Sequence, residues 1–117
     1  YGHATGDLCL QQFAELMRKV FRRDSDVPLR LGGEEFGVIM PGTALEQAGQ
    51  LAEQFRASLA ARPLQIDGQT IGITTSLGVG SFNRELDHNG DGLYRRVDAA
   101  LYQAKNDGRN RVQLVQE

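Results

Sequence analysis

Apolar positions recur along the chain at two periods, and the switches between them divide it into elements. Over residues 8–22, Leu10, Phe13, Met17 and Val20 fall three or four apart. That spacing predicts an amphipathic helix, with Asp7 placed as its N-cap. A charged break at 22–26 follows. Residues 28–31 and 36–40 then read as two short strands joined by Gly32-Gly33-Glu34-Glu35, a β-hairpin. Pro41-Gly42 ends the second strand, and Thr43-Ala44-Leu45-Glu46 has the form of a capping box. The helix that it opens runs to Ala61, with Leu45, Ala48, Leu51, Ala52, Phe55 and Leu59 inward and Pro63 as its stop. Residues 64–66 and 70–80 are β-like and joined through Asp67-Gly68. In the second of these, Ile71, Ile73, Thr75, Leu77 and Val79 share one face. After a polar loop at 83–92 comes a helix at 93–107, with Val97, Ala100, Leu101 and Ala104 inward and Gly108 at its C′ position. Residues 112–115 close as a strand. Helices alternating with antiparallel hairpins predict one α+β domain over residues 1–117: a mainly antiparallel central sheet flanked by helices.

Composition narrows the function classes. Apolar residues make up 40% and charged residues 24% of the 117, an ordinary globular balance that excludes intrinsic disorder and collagen. Thirteen Lys and Arg against fifteen Asp and Glu leave a net charge of −2, so the basic footprint of a DNA or RNA partner is absent. No run of 18 apolar residues is present to span a membrane. The single cysteine, Cys9, excludes a disulfide framework and a multi-cysteine zinc site, and fits a reducing, cytoplasmic setting. The opening residues read as a loop without an initiating Met, which predicts a domain truncated at its N-terminus.

Four stretches could carry chemistry. At the hairpin tip, Gly32 and Gly33 let backbone approach a bulky ligand, and Glu34 and Glu35 offer the hard oxygen donors that Mg²⁺ prefers. The plainer reading is a solvated turn. Lys105 and Arg109, four apart across a helix end with Arg111 nearby, could grip phosphate oxygens, or could simply complement the helix dipole. Arg23 and Asp26, three apart, could hold a guanine edge, or be an ordinary polar connection. The run Asp87-His88-Asn89-Gly90-Asp91-Gly92, with Asp98 at position twelve, has the outline of an EF-hand calcium loop. It lacks the bidentate Glu and a matching helix before it, and a turn leading into a helix N-cap is the simpler account. His3 and Cys9 have no evident nucleophile or base partners; His3 reads as a structural hydrogen-bonding residue, and Met17 and Met40 as core.

Taken together, these segments resemble a GGDEF domain, the diguanylate cyclase family, over essentially the whole chain. Tyr1-Gly2-His3 with Gly6-Asp7 is similar to its [YF]-G-H-x-x-G-D segment. Arg30-Leu31-Gly32-Gly33-Glu34-Glu35-Phe36 resembles the signature in its GGEEF form. Ser76-Leu77-Gly78-Val79 looks like its S-[IL]-G-[VI] strand, and residues 98–105 with Gly108-Arg109-Asn110 look like its D-x-A-L-Y-x-A-K…G-R-N ending.

The resemblance implies a nucleotide-cyclase or palm-like fold and a reaction in which two GTP condense to cyclic di-GMP and two pyrophosphates at a homodimer interface. It implies Glu34 as a ligand of Mg²⁺ (or Mn²⁺) and as base, with Glu35 assisting. Gly32 and Gly33 would lie against the nucleotide, Asp7 would accept from the guanine amines, and Lys105 and Arg109 would hold the β- and γ-phosphates. Arg23-x-x-Asp26 has the spacing of the family's inhibitory product site. The family's other metal-binding Asp and a guanine-binding Asn would precede Tyr1, so the 117 residues by themselves are expected to be inactive. An upstream sensory or regulatory domain is expected in the parent protein, which could be membrane-anchored. Two other readings stay open: a catalytically silent cyclic di-GMP receptor, and a calcium-binding or purely dimerising module.

Overall fold

The computed structural model describes residues 3–32, 35–82 and 90–115. Three helices, α1 (His3–Val20), α2 (Leu45–Ala61) and α3 (Gly90–Asn106), are interspersed with six strands. The strands are β1 (Val27–Gly32), β2 (Glu35–Ile39), β3 (Leu64–Ile66), β4 (Gln69–Ile71), β5 (Leu77–Val79) and β6 (Val112–Leu114). Among the described residues these form three two-stranded sheets, so the α+β expectation holds. The β1–β2 and β3–β4 pairs are antiparallel hairpins. Asp67 and Gly68 turn the second with φ of 51° and 78°, the mirror-image turn that matches strand twist. The β5–β6 pair is parallel, with α3 as its crossover.

The core sits where α1, α2 and the inner face of the first hairpin meet. Met17 of α1 and Phe21, just beyond its end, pack with Phe55 and Leu59 of α2, and Phe36 and Val38 of β2 close over them. Phe55 is 1% exposed, and the Phe13 ring meets it edge-on at 5.0 Å between centroids. Aromatic pairs in that geometry add to the area that they bury. A second, smaller cluster joins Ala48 and Ala52 of α2 to Val79 of β5. Small residues let α3 lie close on β5: Ala104 is fully buried, and a Cβ on Gly78 would stand 2.4 Å from the Val97 carbonyl oxygen.

Several boundaries differ from expectation. Helix α1 begins at His3, so Asp7 lies within it and is not an N-cap. Helix α3 begins at Gly90, not at residue 93. Gly90, Asp91, Gly92 and Asp98 are therefore helical, and a twelve-residue calcium loop does not form there; residues 87–89 lie outside the described residues. Among the described residues no group of three or more His, Cys, Asp or Glu could hold a metal. The strand expected at 70–80 is two short ones, broken from Gly72 to Ser76, since a glycine weakens a strand interior. The Thr43 capping box does not form: α2 is capped by Ala44 with no side-chain bond. At the other end of the chain, the Gly108 expectation holds. Its φ is +117°, and the Arg109 N–H returns 3.0 Å to the Ala104 carbonyl, the long bond of a Schellman ending.

Candidate functional site

The hairpin that carries the signature is fixed from behind. Arg30 and Phe36 face each other across β1–β2, with an irregularity in register between Arg30 and Gly32. The Arg30 guanidinium carbon lies 5.9 Å from the Phe36 ring centroid, and that ring sits 5.0 Å from Phe13 of α1. The tip is thereby tied to the core through one aromatic side chain. Glu35 opens β2 as an exposed residue, and Gly32 closes β1. Gly33 and Glu34 lie outside the described residues, as do the structures of Tyr1 and Gly2. Asp7 is exposed on α1, six residues before Phe13, which is about 9 Å along a helix axis.

Arg23 and Asp26 are brought together directly. The Arg23 Nε and Nη2 both donate to Asp26 Oδ1, at 3.0 and 2.7 Å. The same Nη2 donates to the Pro41 carbonyl at 3.3 Å and to the Thr43 hydroxyl. This explains the missing capping box, because a charged donor outcompetes the helix N–H groups for that oxygen. Asp26 is buried, with 1% of its side chain exposed, whereas Arg23 keeps 40%. The hydrogen bonds from Arg23 hold the Asp26 carboxyl below its ordinary value, against the opposing effect of burial. The same contact raises the guanidinium. Asp26 Oδ2 is buried without a hydrogen-bond partner among the described residues.

At the far end of α3, Lys105, Arg109 and Arg111 are exposed together. The Arg109 Nη1 donates to the Lys105 carbonyl at 3.4 Å, and Arg111 Nε to the Arg109 carbonyl at 3.2 Å. Among the described residues none of these three cations makes an ion pair. Sequence reading passed over one residue here: Arg56 of α2, whose Nη1 donates to Asn110 Oδ1 at 2.9 Å. The signal available was Glu53, three residues before Arg56, a spacing that pairs on a helix. It also passed over Thr43 as a partner for Arg23, for which no local pattern exists.

A metal at the hairpin would draw on Glu34 and Glu35, the oxygen donors that suit Mg²⁺. Such an ion is commonly held by one or two carboxylates plus substrate phosphates. No helix among the described residues is long and apolar enough to cross a membrane.

All of these residues lie within the stretch that known proteins match. The family model described as "Diguanylate cyclase, GGDEF domain" matches residues 1–111. Diguanylate cyclase A of Treponema denticola is 40% identical over 114 residues, which are 97% of this chain and 30% of that protein. Diguanylate cyclase DgcP of Pseudomonas aeruginosa is 41% identical over 115 residues, 98% of this chain and 17% of that protein. The chain thus spans less than a third of the length of these relatives. Among solved structures, the active GGEEF domain of a diguanylate cyclase from Vibrio cholerae aligns with a TM-score of 0.88 at 38% identity, covering 100% of this chain and 72% of that one. The GGDEF domain of DgcB from Caulobacter crescentus, in complex with c-di-GMP, aligns with a TM-score of 0.93 at 31% identity, covering 100% and 66%.

Proposed function

The chain belongs to the GGDEF family of diguanylate cyclases, and from that premise we propose that the domain condenses two GTP into cyclic di-GMP and two pyrophosphates. The observation that carries this reading is the family match across residues 1–111 with the signature Arg30-Leu31-Gly32-Gly33-Glu34-Glu35-Phe36 intact. In each half-reaction the ribose 3′-oxygen of one GTP bonds to the α-phosphorus of the other, and the bond to the β-phosphate oxygen breaks. The 3′-hydroxyl proton passes to Glu34. Two domains face each other, each holding one GTP.

The residues divide the work by chemistry. Glu34, assisted by Glu35, holds Mg²⁺ (or Mn²⁺), which when bound offsets charge on the phosphates. Gly32 and Gly33 let the tip lie against the nucleotide. The exposed Asp7 accepts from the guanine amines, a contact that adenine cannot return. Lys105 and Arg109 bind the β- and γ-phosphates, a reading supported by their exposure together at the end of α3, where neither makes an ion pair among the described residues. Arg23, held in place by Asp26, presents a partly exposed guanidinium to product, a contact that would restrain the domains from closing. A regulatory domain elsewhere in the full-length protein sets the dimer.

The test is incubation of the full-length protein with GTP and Mg²⁺, followed by chromatographic separation of the nucleotides, beside a Glu34→Gln variant. Cyclic di-GMP from the parent alone is the expected result. A second reading, a silent cyclic di-GMP receptor, is favoured by the formed Arg23–Asp26 pair and by the c-di-GMP complex of the similar DgcB domain. It predicts no product, with binding of cyclic di-GMP that Arg23→Ala abolishes.

A further inference from the structure

The chain leaves α3 through a left-handed turn that one of its three residues, Arg109, does not favour. Gly108, Arg109 and Asn110 follow one another with φ of 117°, 61° and 49°. Glycine takes such angles freely and asparagine tolerates them, but for arginine they are costly. Arg109 is thus placed by force, and the force can be traced. Its N–H is bound to the Ala104 carbonyl, and the Arg111 backbone carbonyl receives the Leu77 N–H at 3.0 Å, which ties the outgoing chain to β5. Between these two tethers stands Asn110, and its side-chain oxygen is held by Arg56 of α2, 54 residues earlier in the chain.

Arg56 is itself made rigid for this contact. Its Nε donates to both carboxylate oxygens of Glu53, at 3.0 and 2.9 Å, and its Nη2 donates to Oε1. Only 20% of its side chain is exposed, against 53% for Glu53. The planar guanidinium, fixed along one edge by the carboxylate, aims Nη1 at Asn110. A lysine at this position would supply charge without the fork.

We infer that Arg56 is a positioning residue for nucleotide binding: through Asn110 it holds the left-handed turn that presents Arg109, beside Lys105, to the terminal phosphates. The inference rests on the reading of Lys105 and Arg109 as phosphate ligands. Arg56 touches no substrate. It acts on affinity by keeping the Arg109 backbone in a conformation that the free turn would leave.

The experiment is titration calorimetry on the full-length protein with Mg²⁺ and a GTP analogue whose α–β bridge cannot react. Arg56→Ala is expected to weaken binding about three- to tenfold, the value of one net hydrogen bond. Asn110→Gly, which permits the same backbone but removes the acceptor at an exposed position, is expected to give the same loss. It keeps the test open should Arg56→Ala fold poorly. Arg56→Lys is expected to resemble Arg56→Ala, because the fork and not the charge is required. In an Arg109→Ala background, Arg56→Ala is expected to change nothing further. If Arg109→Ala weakens binding while Arg56→Ala and Asn110→Gly leave it at the parent value, the inference is overturned. Additive losses in the double variant overturn it too. If Arg109→Ala itself leaves affinity unchanged, the phosphate-ligand reading beneath it fails instead.

Discussion

Asp26 is a carboxylate taken out of water and kept ionised by a single guanidinium. Its carboxyl titrates below the ordinary value of 3.8 in the folded chain, chiefly because Arg23 donates to it. A group depressed in this way stabilises the fold fully above its unfolded value, and the contribution disappears as pH falls through the folded one. The clasp between the end of α1 and the start of α2 is therefore expected to weaken below about pH 4. Melting temperatures measured from pH 7 to pH 3 should drop more steeply for the parent than for Asp26→Asn, and parallel curves would remove Asp26 from the account. Asp7 is the residue whose role tests selectivity. On the proposed reading of Asp7 as guanine acceptor, Asp7→Asn in the full-length protein is expected to reduce the GTP-over-ATP ratio of kcat/KM by about 10- to 100-fold, since a site that pairs guanine N–H groups would lose its acceptor. An unchanged ratio would place guanine selection elsewhere. Residue identity made both positions legible in the sequence, as acidic groups at motif spacing. It did not reveal that Asp26 faces inward and Arg23 outward, because orientation is decided by Thr43 and Pro41, eighteen to twenty positions away.

Among the elements, the stripe at Phe13, Met17 and Val20 packs with Phe55 and Leu59 of α2, while Ala48 and Ala52 of the same α2 stripe meet Val79 of β5. Those patterns were readable because burial repeats every turn of a helix. Element ends were less so. Nothing in the local sequence announces that Thr43 serves Arg23 and not its own helix, or that α3 extends back to Gly90. Packing gives two measurable consequences. Phe55→Ala would empty the most enclosed large side chain, at a cost of about 3–5 kcal/mol in chemical denaturation. Gly78→Ala would drive a methyl group into the Val97 carbonyl and the Leu101 N–H, both of them backbone. With no flexible side chain to give way, α3 must lift from β5, and a destabilisation of about 1–3 kcal/mol is expected. A Gly78→Ala variant as stable as the parent would show that α3 is not seated as described.

At the scale of all 117 residues, exposed surface is large for the mass. The chain exposes 7960 Å², where a compact chain of 12.9 kDa exposes about 6300 Å², and its extents are 52 × 33 × 23 Å. The three two-stranded sheets among the described residues should not open together. Native-state hydrogen exchange is expected to be slowest in α2 and fastest in β3–β4, whose strands have three residues each. Equal protection in the two would indicate a single cooperative unit. The strand patterns at 70–80, without its break, and at 112–115 were visible in the sequence. Their parallel partnership was not, because period-two alternation identifies a strand without naming its neighbour.

That parallel pair joins Leu77 to Val112, and nothing shorter than the whole of α3 connects them. On a ribosome adding about 5–20 residues per second, β5 waits roughly 2–7 s for its partner to emerge. Through that interval the Leu77 N–H has no Arg111 carbonyl to meet, and the cationic turn has no fixed place. The nascent chain can therefore complete the helical core and the first hairpin before the cationic turn takes shape.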